Sequence, residues 1–329
     1  MWKQTRRQAI MTLASLAMLP SHGQAAVQKV RVANGTTLDI LSIPDVRTFE
    51  HFLKQSTGIP SEVTYLPGAV RAIQAIIADQ ADVGIATLNA GLAAVLQQQD
   101  IVVFALASGA RPYLVMTAQD GLGSLKALEG RTVGVISLVD STYYLPVMQM
   151  RAEGVDPSKV RWQPVGGGAG RGNALISGGI QAASFQVGQA LDLTQKGAFR
   201  IIDPPSHNMD LIFKAFWARR SFLEANPQLA TEIVKAHLLA TREALDKAAF
   251  LKVATPMLAP MAESTISQAY DILVRMGVWD PNDDLLNPKA GDETVAQMVK
   301  YGIIDREISF DRWATDRFVK EAVAVVGRR

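Results

Sequence analysis

The feature that most constrains the fold is an alternation of strand and helix patterns that starts near residue 29 and starts a second time near residue 131. Each run contains four short apolar strand patterns separated by helical patterns. Segment 75–87 aligns with segment 174–186 at an offset of 99 residues. The alternation predicts an α/β protein with helices on both faces of each sheet, and the restart predicts two lobes of similar plan. Because the identities are few, chance similarity of α/β units is the alternative.

The C-terminal third of the sequence is helical by pattern. One more strand pattern covers residues 211–217 and is followed by amphipathic helical patterns over 229–247, 264–276, 293–301 and 313–323. An Asn226-Pro227 pair places proline at a helix start. A helical tail cannot bury its apolar faces alone, so we expect it to pack back on one of the lobes.

The N-terminus has the layout of a secretory signal over residues 1–26. Lys3, Arg6 and Arg7 precede an apolar run from 9 to 19, and small residues follow at 23–26. The run is shorter than the roughly 20 residues that a membrane-spanning helix needs. The adjacent arginines fit a twin-arginine signal as well as a Sec signal, and both remain open. We expect signal cleavage before Ala26 or Val27 and a periplasmic protein.

Composition excludes several classes of function. The chain has no cysteine, which excludes a lipid-modified Cys, disulfides, zinc-thiolate sites and a thiol nucleophile. Without residues 1–26, 30 Lys and Arg face 31 Asp and Glu, so we expect no nucleic-acid partner. His51, His207 and His237 lack metal-spaced partners, and no catalytic motif occurs. We predict no enzyme activity, metal or cofactor, and we place His51 and His237 on helix surfaces.

Candidate ligand contacts lie in four loops that follow predicted strands, because open α/β sheets bind ligands at the carboxyl ends of their strands. Helix N-termini at these loops favour an anionic or polar ligand group. For each polar residue the alternative is an N-cap of its own helix. Phe185, Tyr143 and Trp217 are candidates for apolar contact. The predicted ligand-binding residues are Asn34, Thr36, Thr37, Thr87, Asn89, Asp140, Ser141, Thr142, Phe185 and Gln186.

A glycine-rich run at 166–172 fits neither the Walker spacing nor the dinucleotide-binding fingerprint. We interpret it as a flexible lead into the next helix. Arg171 could face an anion, but we expect it to form an exposed salt bridge at that helix start.

Four stretches, at 72–86, 125–135, 154–157 and 171–183, followed later by 222–227, resemble the nitrate/sulfonate/taurine-type periplasmic binding proteins of ABC transporters. That family also contains thiamine-pyrimidine binders. The resemblance implies a periplasmic-binding-protein fold of the Venus flytrap type II class, with two α/β lobes and a helical C-terminal tail. Lobe 1 would comprise residues 27–111 plus 213–329 and lobe 2 residues 112–212, with crossovers near Arg111-Pro112 and 212–216. The chain departs from the family pattern after the first strand, at 34–40.

The resemblance also implies a function. The protein would capture a small polar or anionic organic solute in an interlobe cleft and deliver it, as a monomer, to an ABC permease in the inner membrane. Sulfonate, nitrate, an aromatic carboxylate and a pyrimidine remain open as ligands. A sensory binding protein that presents its ligand to a membrane receptor is the first alternative. A pyrimidine-synthase-like enzyme is the second, although such enzymes use a cysteine-rich stretch that this chain lacks.

Overall fold

The computed structural model describes residues 27–66, 68–109, 112–197, 199–203 and 212–329. The predicted signal at 1–26, Arg111 at one predicted crossover, and His207 lie outside the described residues. Within the described part of the chain, no helix has both the length and the apolar character needed to span a bilayer.

In the part of the chain that the structure describes, ten strands form two sheets of five strands each. The strands are β1 (Val30–Asn34), β2 (Ser61–Tyr65), β3 (Val83–Thr87), β4 (Ile101–Gly109), β5 (Tyr113–Thr117), β6 (Thr132–Val135), β7 (Arg161–Pro164), β8 (Ala182–Gln186), β9 (Arg200–Asp203) and β10 (Ile212–Arg219). The first sheet has the order β2-β1-β3-β10-β4 and the second β7-β6-β8-β5-β9. Both sheets therefore have the same plan, in which β10 and β5 occupy equivalent positions.

The two equivalent strands are also the antiparallel ones. β1 runs parallel to β2 and β3, whereas β10 runs antiparallel to β3 and β4. In the second sheet β6 runs parallel to β7 and β8, and β5 runs antiparallel to β8 and β9. In sequence, β5 comes directly after β4 of the first sheet but belongs to the second sheet. β10 comes directly after β9 of the second sheet but belongs to the first. Each sheet thus receives its antiparallel strand where the chain crosses from the other sheet.

The helices alternate with the strands and then fill the C-terminal part. They are α1 (Ile43–Arg47), α2 (Leu53–Thr57), α3 (Ala69–Ile77), α4 (Leu88–Leu96), α5 (Ser141–Ala152), α6 (Gly168–Ile176), α7 (Val187–Lys196), α8 (Arg220–Ala225), α9 (Pro227–Ala244), α10 (Lys247–Met257), α11 (Glu263–Arg275), α12 (Pro288–Lys300), α13 (Phe310–Trp313) and α14 (Arg317–Val326). A π-helical turn, Thr48–Phe52, joins α1 to α2. The prediction of an α/β protein with a helical C-terminal part is confirmed.

Local sequence explains how the first helical segment begins. A short 3-10 turn, Ile40–Ser42, precedes α1, and the Asp39 side chain caps this turn in a reciprocal capping box with Ser42. Pro44 then lies in the first turn of α1, where a missing N–H costs no hydrogen bond. The helical segment therefore begins at Ile40, with this 3-10 turn.

The C-terminal helices pack on both halves of the molecule. α9 contacts α1 and α14 beside the first sheet. α11 contacts α7, which follows β8 of the second sheet, and Thr265 Oγ1 donates a hydrogen bond to Gln195 Oε1 at 2.8 Å. The rings of Phe250, Tyr270 and Trp279 cluster with centroids 4.8 to 5.9 Å apart. The tail thus joins the two halves along one side instead of covering one of them.

Candidate functional site

A cavity of about 180 Å³ lies between the carboxyl ends of the two sheets. One wall comes from the loop after β1, from the start of α3 and from the end of β3. The other wall comes from the start of β5, the loop into α5, the glycine-rich start of α6 and the end of β8. Six of the ten predicted ligand contacts line this cleft, namely Thr36, Thr37, Thr87, Asp140, Ser141 and Gln186.

The loop after β1 is shaped by Asn34, which is buried and does not line the cleft. Its Oδ1 accepts hydrogen bonds from Thr36 N at 3.0 Å and Thr36 Oγ1 at 2.8 Å. Because Asn34 holds Thr36 in this way, the loop presents Thr36 and Thr37 to the cavity. Asn34 therefore acts on the site through its neighbour.

Asn89, on the first turn of α4, also lies outside the cavity lining. Its Nδ2 donates a hydrogen bond to the Val139 carbonyl at 3.0 Å. Val139 belongs to the loop between β6 and α5, so this bond links the two sides of the cleft. Asn89 joins the two walls, while neighbouring Thr87 lines the cavity.

At the start of α5, the three predicted contacts have three different roles. Asp140 is the N-cap, and its Oδ1 accepts hydrogen bonds from Thr142 N at 2.9 Å and Thr142 Oγ1 at 2.8 Å. Thr142 is buried, and its Oγ1 also accepts from Ile136 N at 2.8 Å. Ser141 follows the cap and lines the cleft. The helix is therefore capped by Asp140, and the Ser141 hydroxyl, which donates a long hydrogen bond to Asp140 Oδ1 at 3.5 Å, lies at the cavity.

The two predicted contacts at the end of β8 also differ in whether they line the cleft. Gln186 lines the cleft, and its Nε2 donates to the Tyr113 hydroxyl at 3.3 Å. Phe185 is buried in the core and does not line the cavity, because successive residues of a strand point to opposite faces. Tyr143 and Trp217, the other aromatic candidates, do not line it either. Tyr143 packs edge-on against Trp162, and Trp217 is fully buried.

Arg171 departs most from the sequence prediction. It lines the cleft from α6 but is only 2% exposed, so the expected exposed salt bridge is wrong. Its Nε donates to the Ser184 carbonyl at 3.2 Å and its Nη1 to the Gly166 carbonyl at 2.7 Å. The guanidinium lies over the Phe185 ring, 5.1 Å from the centroid. Among the described residues no carboxylate forms an ion pair with it, and burial lowers its pKa.

The glycine-rich run explains how an arginine is buried at a helix start. α6 begins inside the run, at Gly168, so the run is a packed helix start and not a flexible lead. A Cβ on Gly170 would lie 2.6 Å from the Val165 carbonyl oxygen. The sequence carried one signal of burial, because no acidic residue lies three or four positions from Arg171 to pair with it on an exposed helix surface.

Tyr113 is a cleft residue that the sequence analysis did not single out. It begins β5, directly after the predicted crossover at Pro112, and it lines the cavity. Its ring packs edge-on against Phe213, which lies at the start of the other crossover strand, with centroids 5.8 Å apart. Burial, with the nearby Asp140 carboxylate, raises the pKa of Tyr113 above its ordinary value. Tyr113 is therefore a neutral phenol that connects the ligand cavity to both crossovers.

The chain was compared with known families, curated proteins and solved structures. The family model described as "NMT1/THI5 like" matches residues 48–248, which is more than half of the chain. No curated protein is similar enough in sequence to match.

Solved structures resemble the whole molecule. A protein from Bordetella bronchiseptica RB50 is 21% identical with a TM-score of 0.75, covering 91% of this chain and 98% of that one. The alkanesulfonate-binding protein SsuA from Xanthomonas axonopodis pv. citri, bound to MOPS, is 13% identical with a TM-score of 0.72, covering 88% and 99%. The periplasmic nitrate-binding protein NrtA from Synechocystis PCC 6803 is 10% identical with a TM-score of 0.71, covering 92% and 90%. The chain has the periplasmic-binding-protein fold, as predicted.

Proposed function

Because the chain belongs to the NMT1/THI5-like family, we propose that it is an exported solute-binding protein that captures a small anionic organic solute in the cleft. On this proposal the two crossovers separate lobe 1, residues 27–111 plus 213–329, from lobe 2, residues 112–212. The loaded protein delivers its solute to an ABC permease in the inner membrane. The known ligands of its structural neighbours, alkanesulfonate and nitrate, support an anion.

The observation that carries the proposal is the buried Arg171 guanidinium. A buried cation without a counter-ion is costly, and arginines in protein interiors are ordinarily paired with carboxylates. Nε and Nη1 each have a backbone carbonyl partner, whereas among the described residues Nη2 has no hydrogen bond. An oxyanion in the cleft would supply both the missing charge and the missing acceptor.

Further groups support an anion at the same place. The Ser141 hydroxyl faces the cleft at the first residue of α5, and α6 begins beside it, so two helix N-termini contribute about 0.3 to 1 kcal/mol each. The negative charge of Asp140 repels an anion, although its Oδ1 accepts two hydrogen bonds from Thr142 at the start of α5. The balance favours a ligand with a single negative charge, placed against Arg171 and away from Asp140.

A thermal-shift screen of the purified protein tests this proposal. Small sulfonates, carboxylates, nitrate and neutral pyrimidines are the probes, and a ligand at a hundred times its Kd stabilises the folded state by about 2.7 kcal/mol. We expect at least one anion to raise the Tm of the wild type and of Arg131→Gln, an exposed arginine in the same half of the molecule. The same anion should leave Arg171→Gln unshifted.

Three results would contradict the proposal. If neutral heterocycles raise the Tm and no anion does, the proposed ligand of the cleft is not an anion. A full shift in Arg171→Gln would remove Arg171 from the site. Chemical conversion of the bound probe, detected by chromatography of the same mixture, would indicate an enzyme and not a binding protein.

A further inference from the structure

A second cavity, of about 310 Å³, lies beside the cleft. Gln186 and Gln189 line both cavities and so form the partition between them. The other walls come from the loop after β1, from Pro112 at the crossover into β5, from the start of α7 and from the turn between α10 and α11. A protein cavity of about 150 Å³ accommodates a benzene ring, so this one is large enough for a small organic molecule.

The second cavity contains a carboxylate of which only one oxygen is used by the fold. Among the described residues that line it, the charged one is Asp39. Asp39 Oδ1 accepts hydrogen bonds from Ser42 N and Ser42 Oγ, both at 2.9 Å, and so caps the 3-10 turn before α1. Asp39 Oδ2 is buried and has no hydrogen-bond partner among the described residues. This oxygen therefore lacks a donor.

Another acceptor of the same cavity also lacks a donor. Gln186 Nε2 donates to the Tyr113 hydroxyl at 3.3 Å, whereas Gln186 Oε1 is buried with no hydrogen-bond partner among the described residues. Buried acceptors without a hydrogen bond are costly, and a buried charge without a counter-ion is more so. Water could donate to both atoms but would leave the Asp39 charge unpaired. The group that fits the cavity is therefore both a hydrogen-bond donor and a cation.

An organic cation fits this cavity better than a metal ion does. Ca²⁺ takes about six to eight oxygen ligands, and this cavity offers one carboxylate. Among the described residues, no group of three or more His, Cys, Asp or Glu side chains is arranged to hold a metal. Met257 and Met261 contribute flexible thioether side chains to the wall opposite the partition, where they can contact a short alkyl group.

We propose that the second cavity is a binding site for a small primary ammonium ion, whose N–H groups donate to Asp39 Oδ2 and Gln186 Oε1. The ammonium ion is a second ligand, separate from the solute in the cleft, and its binding does not require the anion proposed there. Because the walls of the cavity come from both halves of the molecule, a bound ammonium ion contacts both halves.

Isothermal titration with butylammonium tests this site, with 1-butanol and tetramethylammonium as matched probes. 1-Butanol has the same alkyl chain with a neutral donor, and tetramethylammonium has the charge without an N–H group. We expect butylammonium to bind and each of the other two to bind at least about tenfold more weakly, because charge-assisted hydrogen bonds are the stronger ones. No binding of butylammonium, or equal binding of butylammonium and either matched probe, would overturn the proposal.

Three capping aspartates locate the bound cation. Asp39 lines the second cavity, Asp140 lines the cleft, and Asp156 is an exposed cap outside both. Replacement of each by Asn keeps a capping oxygen and removes one charge. Asp39→Asn should lower the affinity for butylammonium by about tenfold or more, whereas Asp140→Asn and Asp156→Asn should bind it as the wild type does. Loss of binding in Asp140→Asn instead would place the cation in the cleft and overturn the proposal.

A second variant keeps the test decisive if Asp39→Asn does not fold, which its Tm would show. Met261 is half-buried on the cavity wall, so Met261→Lys places an ammonium group in the cavity and should block butylammonium. Binding at wild-type affinity in Met261→Lys would overturn the proposal. The anion screen reports on Arg171 and the cleft, so failure of this site and failure of the proposed function are separate results.

Discussion

Two buried cations, Lys214 and Arg171, are stabilised in different ways in this protein. Lys214 Nζ donates to Asp45 Oδ2 at 2.7 Å, and both side chains are 1% exposed. Burial raises the Asp45 pKa to about 6, and the neighbouring Lys214 charge acts against this rise. Lys214 on β10 therefore has a carboxylate in direct contact, whereas among the described residues no carboxylate forms an ion pair with Arg171, and Asp140 acts on it only at longer range. This contrast is why we assign the external anion to Arg171.

Ser141→Ala separates ligand contact from helix capping. Because Asp140 caps α5, we expect the free energy of unfolding to change by less than about 1 kcal/mol. Loss of a hydroxyl that contacts an anion should lower affinity by about tenfold, equivalent to about 1.4 kcal/mol. Ser158→Ala is the control, since Ser158 also lies beside a capping aspartate, Asp156, two residues before it, but is exposed and outside the cleft. Unchanged affinity in Ser141→Ala would remove this residue from the site.

The pH dependence of stability tests whether His237 is buried. The sequence analysis placed it on a helix surface, but it is buried against Thr48, Thr241, Asp283 and the Phe216 ring. Burial lowers the pKa of His237 to about 4, with nearby Lys214 also lowering it. Its folded-state pKa lies below the unfolded value of about 6.5. The contribution of the neutral, buried ring to the free energy of unfolding is therefore fully present above pH 6.5 and is lost as pH falls towards 4.

The expected result is a difference between the wild type and His237→Gln. The advantage of the wild type in free energy of unfolding should shrink by about 3 kcal/mol between pH 7 and pH 4, at 1.36 kcal/mol per pKa unit. Asp283 is present in both proteins, so its titration contributes to both curves. Urea unfolding at several pH values measures this difference. A constant difference across the range would mean that His237 is not buried as a neutral ring.

At the scale of elements, α4 packs closely against β10, the strand that follows the second crossover. A Cβ on Gly91 of α4 would lie 2.1 Å from the Trp217 ring of β10. Trp217 is fully buried and cannot move aside without disturbing the core of the first half. A glycine inside a helix is otherwise unfavourable, so its presence here reflects this contact.

Gly91→Ala and Gly172→Ala should therefore have opposite effects. Gly91→Ala should cost about 1 to 3 kcal/mol of stability, because the added methyl overpacks the Trp217 contact. Gly172, inside α6, has Leu193 as its nearest neighbour at 3.7 Å, so Gly172→Ala should stabilise by up to about 1 kcal/mol through helix propensity. Chemical denaturation of both variants measures these changes. Equal effects would contradict the packing at α4.

The elements that could be predicted from the sequence are those with a clear local pattern. β3 and β8 coincide with the two aligned segments that carried the internal repeat. β5 was missed, although its apolar run resembles that of the predicted strand β3. α10 was missed because Pro256 lies inside it and interrupts the helical pattern. The burial of His237 depends on packing between distant segments, and the burial of Arg171 has only one weak local indication, the lack of an acidic residue three or four positions away.

At the scale of the whole molecule, the described residues include three connections between the two sheets besides the hydrogen bond from Asn89 to Val139. Two are the crossovers, joined by the contact between Tyr113 and Phe213. The third is the packing of α11 on α7. Tyr113 also lines the cleft. We therefore expect a ligand there to contact the crossover region, and we expect the cleft to open and close by bending at a few residues.

We expect a ligand to close the cleft. Small-angle scattering with and without a hit from the anion screen should show a smaller radius of gyration in the complex, because a ligand that contacts both walls favours the arrangement in which Asn89 donates to the Val139 carbonyl. In Asn89→Ala this bond is lost, and the decrease should be smaller at saturating ligand. Tight binding at a constant radius would indicate a rigid pocket instead.

The central claim is that Arg171 holds an anionic solute between the two sheets. A crystal structure of the complex with the strongest anion from the screen tests this claim most directly. We predict that an anion oxygen lies within hydrogen-bond distance of the Arg171 guanidinium, at about 2.7 to 2.9 Å, and that Ser141 contacts the same group. A ligand bound outside the cleft, or bound in it with its charge away from Arg171, would contradict the account.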